Sequence, residues 1–411
     1  MNADSGRQGR TGLWLALFSG AGIAACGLAV LTFGLITVSD YVRGQSNTGF
    51  LGIWTTAAFG LLGLAGIPAF RIGLRRFLGN GPVRTRRPSQ RWLLVVALFP
   101  LGLALGYWIY GLDSGPRALG LLANLLAIGS PVLFAAILVQ RLGVNLSSSR
   151  AWTHFLLGAW MIPFLAFFLE LLAVLLGLVG VAVGLNTSSN GRAALIQLGS
   201  NPSEWLSGPH PDVLHLLGGQ PWILVVALAF LTMFIPLIEE ALKSISVWPT
   251  LRAWGSGSEA FVGGALGGFG FALSEALFLT QPDTSWFTTA LSRGGATMMH
   301  GFGAALTAWG LAEALIHRRW WRLPAAYLTA AGLHGLWNLA AASLGIAELA
   351  TEPGFPSLSP QTIDRLVIAG VSVIVGLSLM ATTGLPTISR FLATRSRAAD
   401  RDGEMASEDP G

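Results

Sequence analysis

The feature that most constrains this chain is a succession of apolar runs, each long enough to cross roughly 30 Å of hydrocarbon. About ten recur, near residues 13–38, 50–70, 91–112, 117–140, 152–185, 221–248, 260–280, 286–316, 323–346 and 363–386. Composition agrees: 53% of residues are hydrophobic, 11% are charged and the mean hydropathy is +0.62, which excludes the soluble globular class. The expected fold is therefore all-α, a polytopic membrane helical bundle of about ten transmembrane helices.

The net charge of +5 does not imply nucleic acid, because the cations follow the positive-inside pattern of alternating loops. Arg71, Arg75, Arg76, Arg84, Arg86 and Arg87 fall between the second and third runs, and Arg141 and Arg150 after the fourth. Lys243 and Arg252 follow the sixth, Arg318, Arg319 and Arg322 the eighth, and Arg390, Arg395, Arg397 and Arg401 the tenth. The opposite loops carry Asp283, Glu348 and Glu352 instead. Every even gap is basic, so both termini are expected in the cytoplasm. A single cysteine, Cys26, rules out a disulfide framework. Ile23-Ala24-Ala25-Cys26 has the look of a lipoprotein box, but the apolar run continues through Thr37, which suits an uncleaved helix.

Residues 1–150 hold four runs with no ionisable group deep in any of them and read as a four-helix N-terminal membrane region, a scaffold. From Ala151 the character changes. Glu170 lies well inside the fifth run, and a polar loop is expected over about 186–220, with His210, Asp212 and His215 as ordinary loop residues. Residues 151–387 form the second membrane region, and 388–411, charged and rich in small residues, are expected to be a disordered cytoplasmic tail. No internal repeat is visible, so symmetry does not suggest an inverted-repeat transporter.

Ionisable groups at membrane depth are costly unless paired or hydrated, and mark function by default. Glu239, Glu240, Glu275, His300 and His334 are such groups, and Lys243, the chain's one lysine, closes Glu239-Glu240-Ala241-Leu242-Lys243. Lys243 lies four residues from Glu239 and three from Glu240, so it can pair with either on a helix surface. One carboxylate can then stay ionised while the other is tuned by burial towards a general base. A chain that writes arginine elsewhere and lysine here points to the ammonium itself. Gly263, Gly264, Gly267, Gly268 and Gly270 precede Glu275 and let helices approach closely. Arg293 shares a helical face with His300, two turns away; Arg293, Glu170 and Glu313 serve packing or pairing in any reading. Asn338, one turn after His334, can orient that imidazole or hold an oxyanion.

Glu239-Glu240-x-x-Lys243, Phe271-x-x-x-Glu275, His300 and His334-x-x-x-Asn338 resemble, in order and spacing, the PrsW family of bacterial intramembrane proteases. That family is similar to the CAAX prenyl endopeptidases and bacteriocin-processing proteins, where Glu-Glu-x-x-x-Arg, Phe-x-x-x-His and His-x-x-x-Asn carry the site. The resemblance covers roughly 155–345. It implies an endopeptidase in the bacterial plasma membrane that cuts a membrane protein or peptide, such as an anti-sigma factor or a prepeptide. It further implies that Glu239 or Glu240 activates a water, with His300, His334 and Asn338 stabilising the oxyanion or protonating the leaving amine. Whether a metal takes part stays open at this point, the family being described both as metalloprotease and as glutamate-dependent; Glu275, His300 and His334 could supply an oxygen and two nitrogens to one divalent ion such as zinc. Two other readings use the same residues: a proton-coupled transporter, and a catalytically inactive membrane assembly factor.

Overall fold

The computed structural model describes residues 3–43, 46–79, 93–112, 119–140, 144, 146–200, 220–254, 256–280, 285–351, 355 and 358–407. Arg84, Arg86, Arg87, Arg141, His210, Asp212, His215, Asp283 and Glu352 lie outside them. Among the described residues there are helices and no strands. They are α1 (Ala3–Val42), α2 (Ser46–Phe77), α3 (Leu93–Gly106, extended by a π-helical turn Tyr107–Gly111) and α4 (Gly120–Gln140). α5 runs from Ser148–Leu156 through a π-turn at Leu157–Met161 into Ile162–Leu185, and α6 is Ser189–Ser200. α7 likewise runs from Pro221–Ala229 through a π-turn at Phe230–Phe234 into Ile235–Lys243, and a 3-10 segment Ser244–Ala253 follows it. α8 (Gly257–Leu279), α9 (Trp286–His317), α10 (Arg322–Leu349) and α11 (Pro360–Ser407) complete the chain.

Each of the ten expected spans coincides with one long helix. Eight are both long and apolar enough to cross a membrane. The other two, α9 and α10, have the length, 32 and 28 residues, but carry Arg293, His300, His334, Asn338 and many glycines, which lower their hydropathy. Two expectations change. The supposed loop after residue 186 contains α6, since Ala193, Ala194, Leu195, Ile196 and Leu198 favour a helical turn over coil. The tail expected to be disordered continues α11 to Ser407; Arg390–Asp402 contains no glycine or proline to stop it.

The chain divides into two compact units. The first comprises 1–163, 240–330 and 378–411, so α1–α4 share a unit with α8 and α9. α8 is buried nearly all round, because its stripe of small residues admits backbones on several sides. A Cβ at Gly268 would strike the His300 carbonyl, and one at Gly264 would meet the Ala304 carbonyl at 2.5 Å. Apolar clusters seat α8 and α9 against α2, α3 and α4, one around Cys26, Leu62, Ile128 and Leu277, another around Leu103, Ala127 and Trp286. Buried Asn124 accepts from the Trp286 indole at 2.9 Å.

The second unit comprises 164–239 and 331–377. Here α10 packs on α7 at Gly335, where a Cβ would collide with the Thr232 carbonyl. It also packs on α11, where Ser343 Oγ donates to the Ala340 and Leu366 carbonyls.

Candidate active site

Two prolines set the local geometry of the helices that carry the charged residues. In α7, Ile235 N–H bonds the Phe230 carbonyl, five residues back, so the next carbonyl, Leu231 O, would need the N–H of residue 236. That residue is Pro236, which has none. Asn338 Nδ2 supplies the missing donor, 2.9 Å from Leu231 O. The π-turn of α5 also precedes a proline, Pro163, though the carbonyl served there is one residue nearer to it. Pro163 cannot donate to Ala159 O four residues earlier, and Ser274 Oγ donates to it instead. Both helper side chains border site residues: Ser274 precedes Glu275, and Asn338 lies one turn after His334.

In the first unit a chain of polar side chains runs from α7 through α9 to α8 and back to α9. Lys243 Nζ donates to Glu240 Oε1 and to His300 Nδ1, both at 2.7 Å, and the lysine and glutamate side chains are fully buried. His300 Nε2 lies 2.7 Å from Glu275 Oε2, and Arg293 Nη1 lies 2.8 Å from Glu275 Oε1. Because Nδ1 accepts from the ammonium, the ring proton belongs on Nε2, which donates to Glu275. The charges of the cluster then balance: two carboxylates, one ammonium, one guanidinium and a neutral imidazole. Phe271, one turn before Glu275, lies 4.4 Å under the Lys243 ammonium and makes an edge contact with the His300 ring at 5.3 Å. Glu240 Oε2 packs beside Gly303, where a Cβ would stand 3.0 Å away. The ammonium is a compact donor whose three N–H groups can turn to acceptors in different directions, here Glu240 and His300.

In the second unit Glu239 Oε2 and His334 Nε2 lie 3.9 Å apart, with both side chains buried. That separation exceeds a direct hydrogen bond and matches a pair bridged by a third atom. Glu239 and Glu240 are consecutive in α7 yet meet different partners: an imidazole for the first, a lysine for the second. The structure therefore resolves the ambiguity of Lys243 spacing in favour of the i,i+3 partner.

Of the seven residues singled out from sequence, Glu240, Lys243, Glu275 and His300 form one bonded cluster. Glu239 and His334 form a pair, and Asn338 serves the α7 backbone. Sequence reasoning undervalued Arg293, whose seven-residue spacing from His300 was visible but whose bond to Glu275 was not. It also passed over His154, fully buried in α5, whose Nδ1 lies 2.8 Å from the Ser246 carbonyl just after Lys243. No motif marks His154. Glu313 closes the end of α9 by pairing with Arg322 at 2.5 Å and Arg319 at 3.5 Å.

Glu239, His300 and His334 are buried and offer the oxygen and nitrogen donors that zinc takes. His300, however, has one ring nitrogen on Lys243 and the other on Glu275, and Glu275 has one oxygen on Arg293 and the other on His300. His300 thus presents no free ring nitrogen, and Glu275 is flanked by two cationic side chains, Arg293 at 2.8 Å being one of them. Catalytic zinc takes three protein ligands, and Glu239 and His334 leave that set one short. Glu239, His300 and His334 could hold a zinc ion once His300 gives up its contact with Lys243 or Glu275.

No curated protein and no solved structure matches the chain. A family model does: it spans residues 211–363, which include all seven singled-out residues, Arg293, and both Pro236 and its helper Asn338. Over residues 211–363 this chain is similar to the PrsW family of intramembrane metalloproteases.

Proposed function

We propose that this protein is an intramembrane endopeptidase that hydrolyses a peptide bond of a membrane-associated protein or prepeptide, in a bacterial plasma membrane. The observation that carries the reading is the division of labour between two consecutive buried carboxylates. Glu240 is committed to Lys243 at 2.7 Å, whereas Glu239 faces His334 at a distance that leaves room for a bridging atom. Glu239 is the general base. It takes a proton from water as the water oxygen attacks the scissile carbonyl carbon, and later returns that proton to the leaving amine as the C–N bond breaks. His334 donates to the oxyanion, worth about 3–4 kcal/mol for a well-placed donor. Lys243, which also donates to His300, holds Glu240 through a 2.7 Å contact and so fixes the helix turn that carries Glu239. Asn338 positions α7 through Leu231 O. The family description names a metal, for which Glu239, His300 and His334 are the candidate ligands, and no step is routed through one.

The test compares membrane proteomes of cells carrying wild-type protein or Glu239→Gln/Glu240→Gln at matched expression, by labelling new chain termini. A small set of single-span proteins should accumulate uncut in the variant and lose one defined terminus each. If no terminus changes while a solute gradient collapses or a complex fails to assemble, the residues serve a transporter or an assembly factor, and the protease reading is wrong.

A further inference from the structure

The turn between α9 and α10 reads His317-Arg318-Arg319-Trp320-Trp321-Arg322, and it is built to be rigid. Arg318 adopts the left-handed backbone conformation at φ 56°, and its amide and that of Arg319 both bond the Glu313 carbonyl. The Glu313 carboxylate holds Arg322 at 2.5 Å and Arg319 at 3.5 Å, and the Arg322 guanidinium lies over the Trp309 and Trp321 rings at 5.6 Å each. A fixed scaffold thus presents two large indoles outwards, Trp320 at 60% and Trp321 at 68% exposure. Arg318 and Arg319 are exposed beside them, and apolar Leu315 and Ile316 continue the exposed surface. Three guanidiniums stand against one carboxylate, so the turn is cationic.

Depth decides what such a surface meets. The 28 residues of α10 span about 42 Å at roughly 1.5 Å per residue, which matches the roughly 40–45 Å of a bilayer with its headgroups. The first residue of α10, Arg322, therefore falls at headgroup level. Exposed tryptophans belong there, with indole faces among the glycerol and carbonyl groups. Arginines reach outwards from the same level to phosphate, where each cation gains from an anionic leaflet.

We propose that the Arg318–Arg322 turn is a docking site for the headgroup of an anionic phospholipid, with Arg318 and Arg319 on the phosphate and Trp320 and Trp321 seated beneath it. The site stands apart from the buried charged cluster and does not depend on the protease reading.

The test uses the full chain with Cys26→Ala and Ala325→Cys, which places one thiol-attached fluorophore at an exposed position three residues past Arg322. The protein is reconstituted in phosphatidylcholine vesicles holding the same mole fraction of spin-labelled phosphatidylglycerol or spin-labelled phosphatidylcholine. The anionic lipid should quench at least about twice as strongly, since a surface arginine is worth a factor of about five in headgroup affinity. That preference should vanish in Arg318→Gln/Arg319→Gln and shrink towards unity near 1 M salt. Trp320→Ser/Trp321→Ser should weaken quenching by both lipids. Equal quenching of the parent protein by the two lipids would overturn the proposal, leaving aromatic anchoring without headgroup recognition. Quenching by neither would also overturn it, making the turn a surface for a protein.

Discussion

Replacing Lys243 by Met tests whether the buried cluster is one electrostatic unit. The ammonium and the Glu240 carboxylate are 2.7 Å apart, and neither side chain is exposed. At an effective dielectric of about 20, unit charges at that distance attract by about 6 kcal/mol. Withdrawing each ion from water costs several kcal/mol, so the pair as a whole contributes close to nothing. Deleting one partner is different. It strands a buried charge, at a cost of about 3–5 kcal/mol, and the lost hydrogen bond to His300 adds about 1 kcal/mol. Lys243→Met should therefore lower the unfolding free energy by about 4–6 kcal/mol, measured by reversible SDS-induced unfolding in mixed micelles. Glu240→Gln/Lys243→Met removes both charges and should recover most of that loss, so the two single effects should be far from additive, with a coupling energy of at least about 3 kcal/mol in the double-mutant cycle. A loss below about 1 kcal/mol for Lys243→Met, or additive effects in the cycle, would refute the claim that these charges are mutually dependent.

Glu239→Gln should cut substrate cleavage by about 100-fold or more on a fragment gel while costing far less stability than Lys243→Met; retained cleavage would remove Glu239 as the base. Gly268→Ala sets a methyl against the His300 carbonyl and should cost about 1–3 kcal/mol. Gly332→Ala, with nothing within 4 Å of the new methyl, should be neutral in the same unfolding assay. Asn338→Leu leaves Leu231 O without a donor and should cost about 1–2 kcal/mol. In a Pro236→Ala background, where the main chain can serve that carbonyl, the cost should fall, and an unchanged cost would contradict the proline account. Cleavage by purified enzyme should persist within about twofold after chelation by 1,10-phenanthroline, because His300 and Glu275 are already occupied by each other, Lys243 and Arg293; loss restored by added zinc would show that those contacts rearrange around an ion.

Much of this was legible in the sequence for definite reasons. Ten apolar runs became ten long helices because length and hydropathy leave few other options in a bilayer. Glu239, Glu240, Glu275, His300 and His334 stood out because each is expensive where it lies. Their bonding was not legible. Residues three and four apart are equally near on a helix, so the spacing of Lys243 could not choose between Glu239 and Glu240; the second acceptor, His300, is 57 positions away. Asn338 was read as a partner for an imidazole because the carbonyl it serves is orphaned by Pro236, over 100 positions earlier. His154 carried no signal, since its partner is a main-chain carbonyl that any sequence could provide. The helical continuation of α11 was missed because a charged, small-residue segment reads as solvated chain, although alanine and arginine are also good helix formers.

A π-turn is an α-helix carrying one residue too many. The turn at Phe230–Phe234 therefore sets the azimuth of everything after it in α7. Deleting Thr232 would return the helix to regular winding and rotate Glu239 and Glu240 by about 100° about its axis. Glu239 would no longer face His334, nor Glu240 approach Gly303, although no charged residue had changed. The facing of both carboxylates is thus a one-codon property. A bundle lacking that codon would keep its hydropathy profile, its span number and its acidic pair, and would differ from this one by a quarter-turn of one helix.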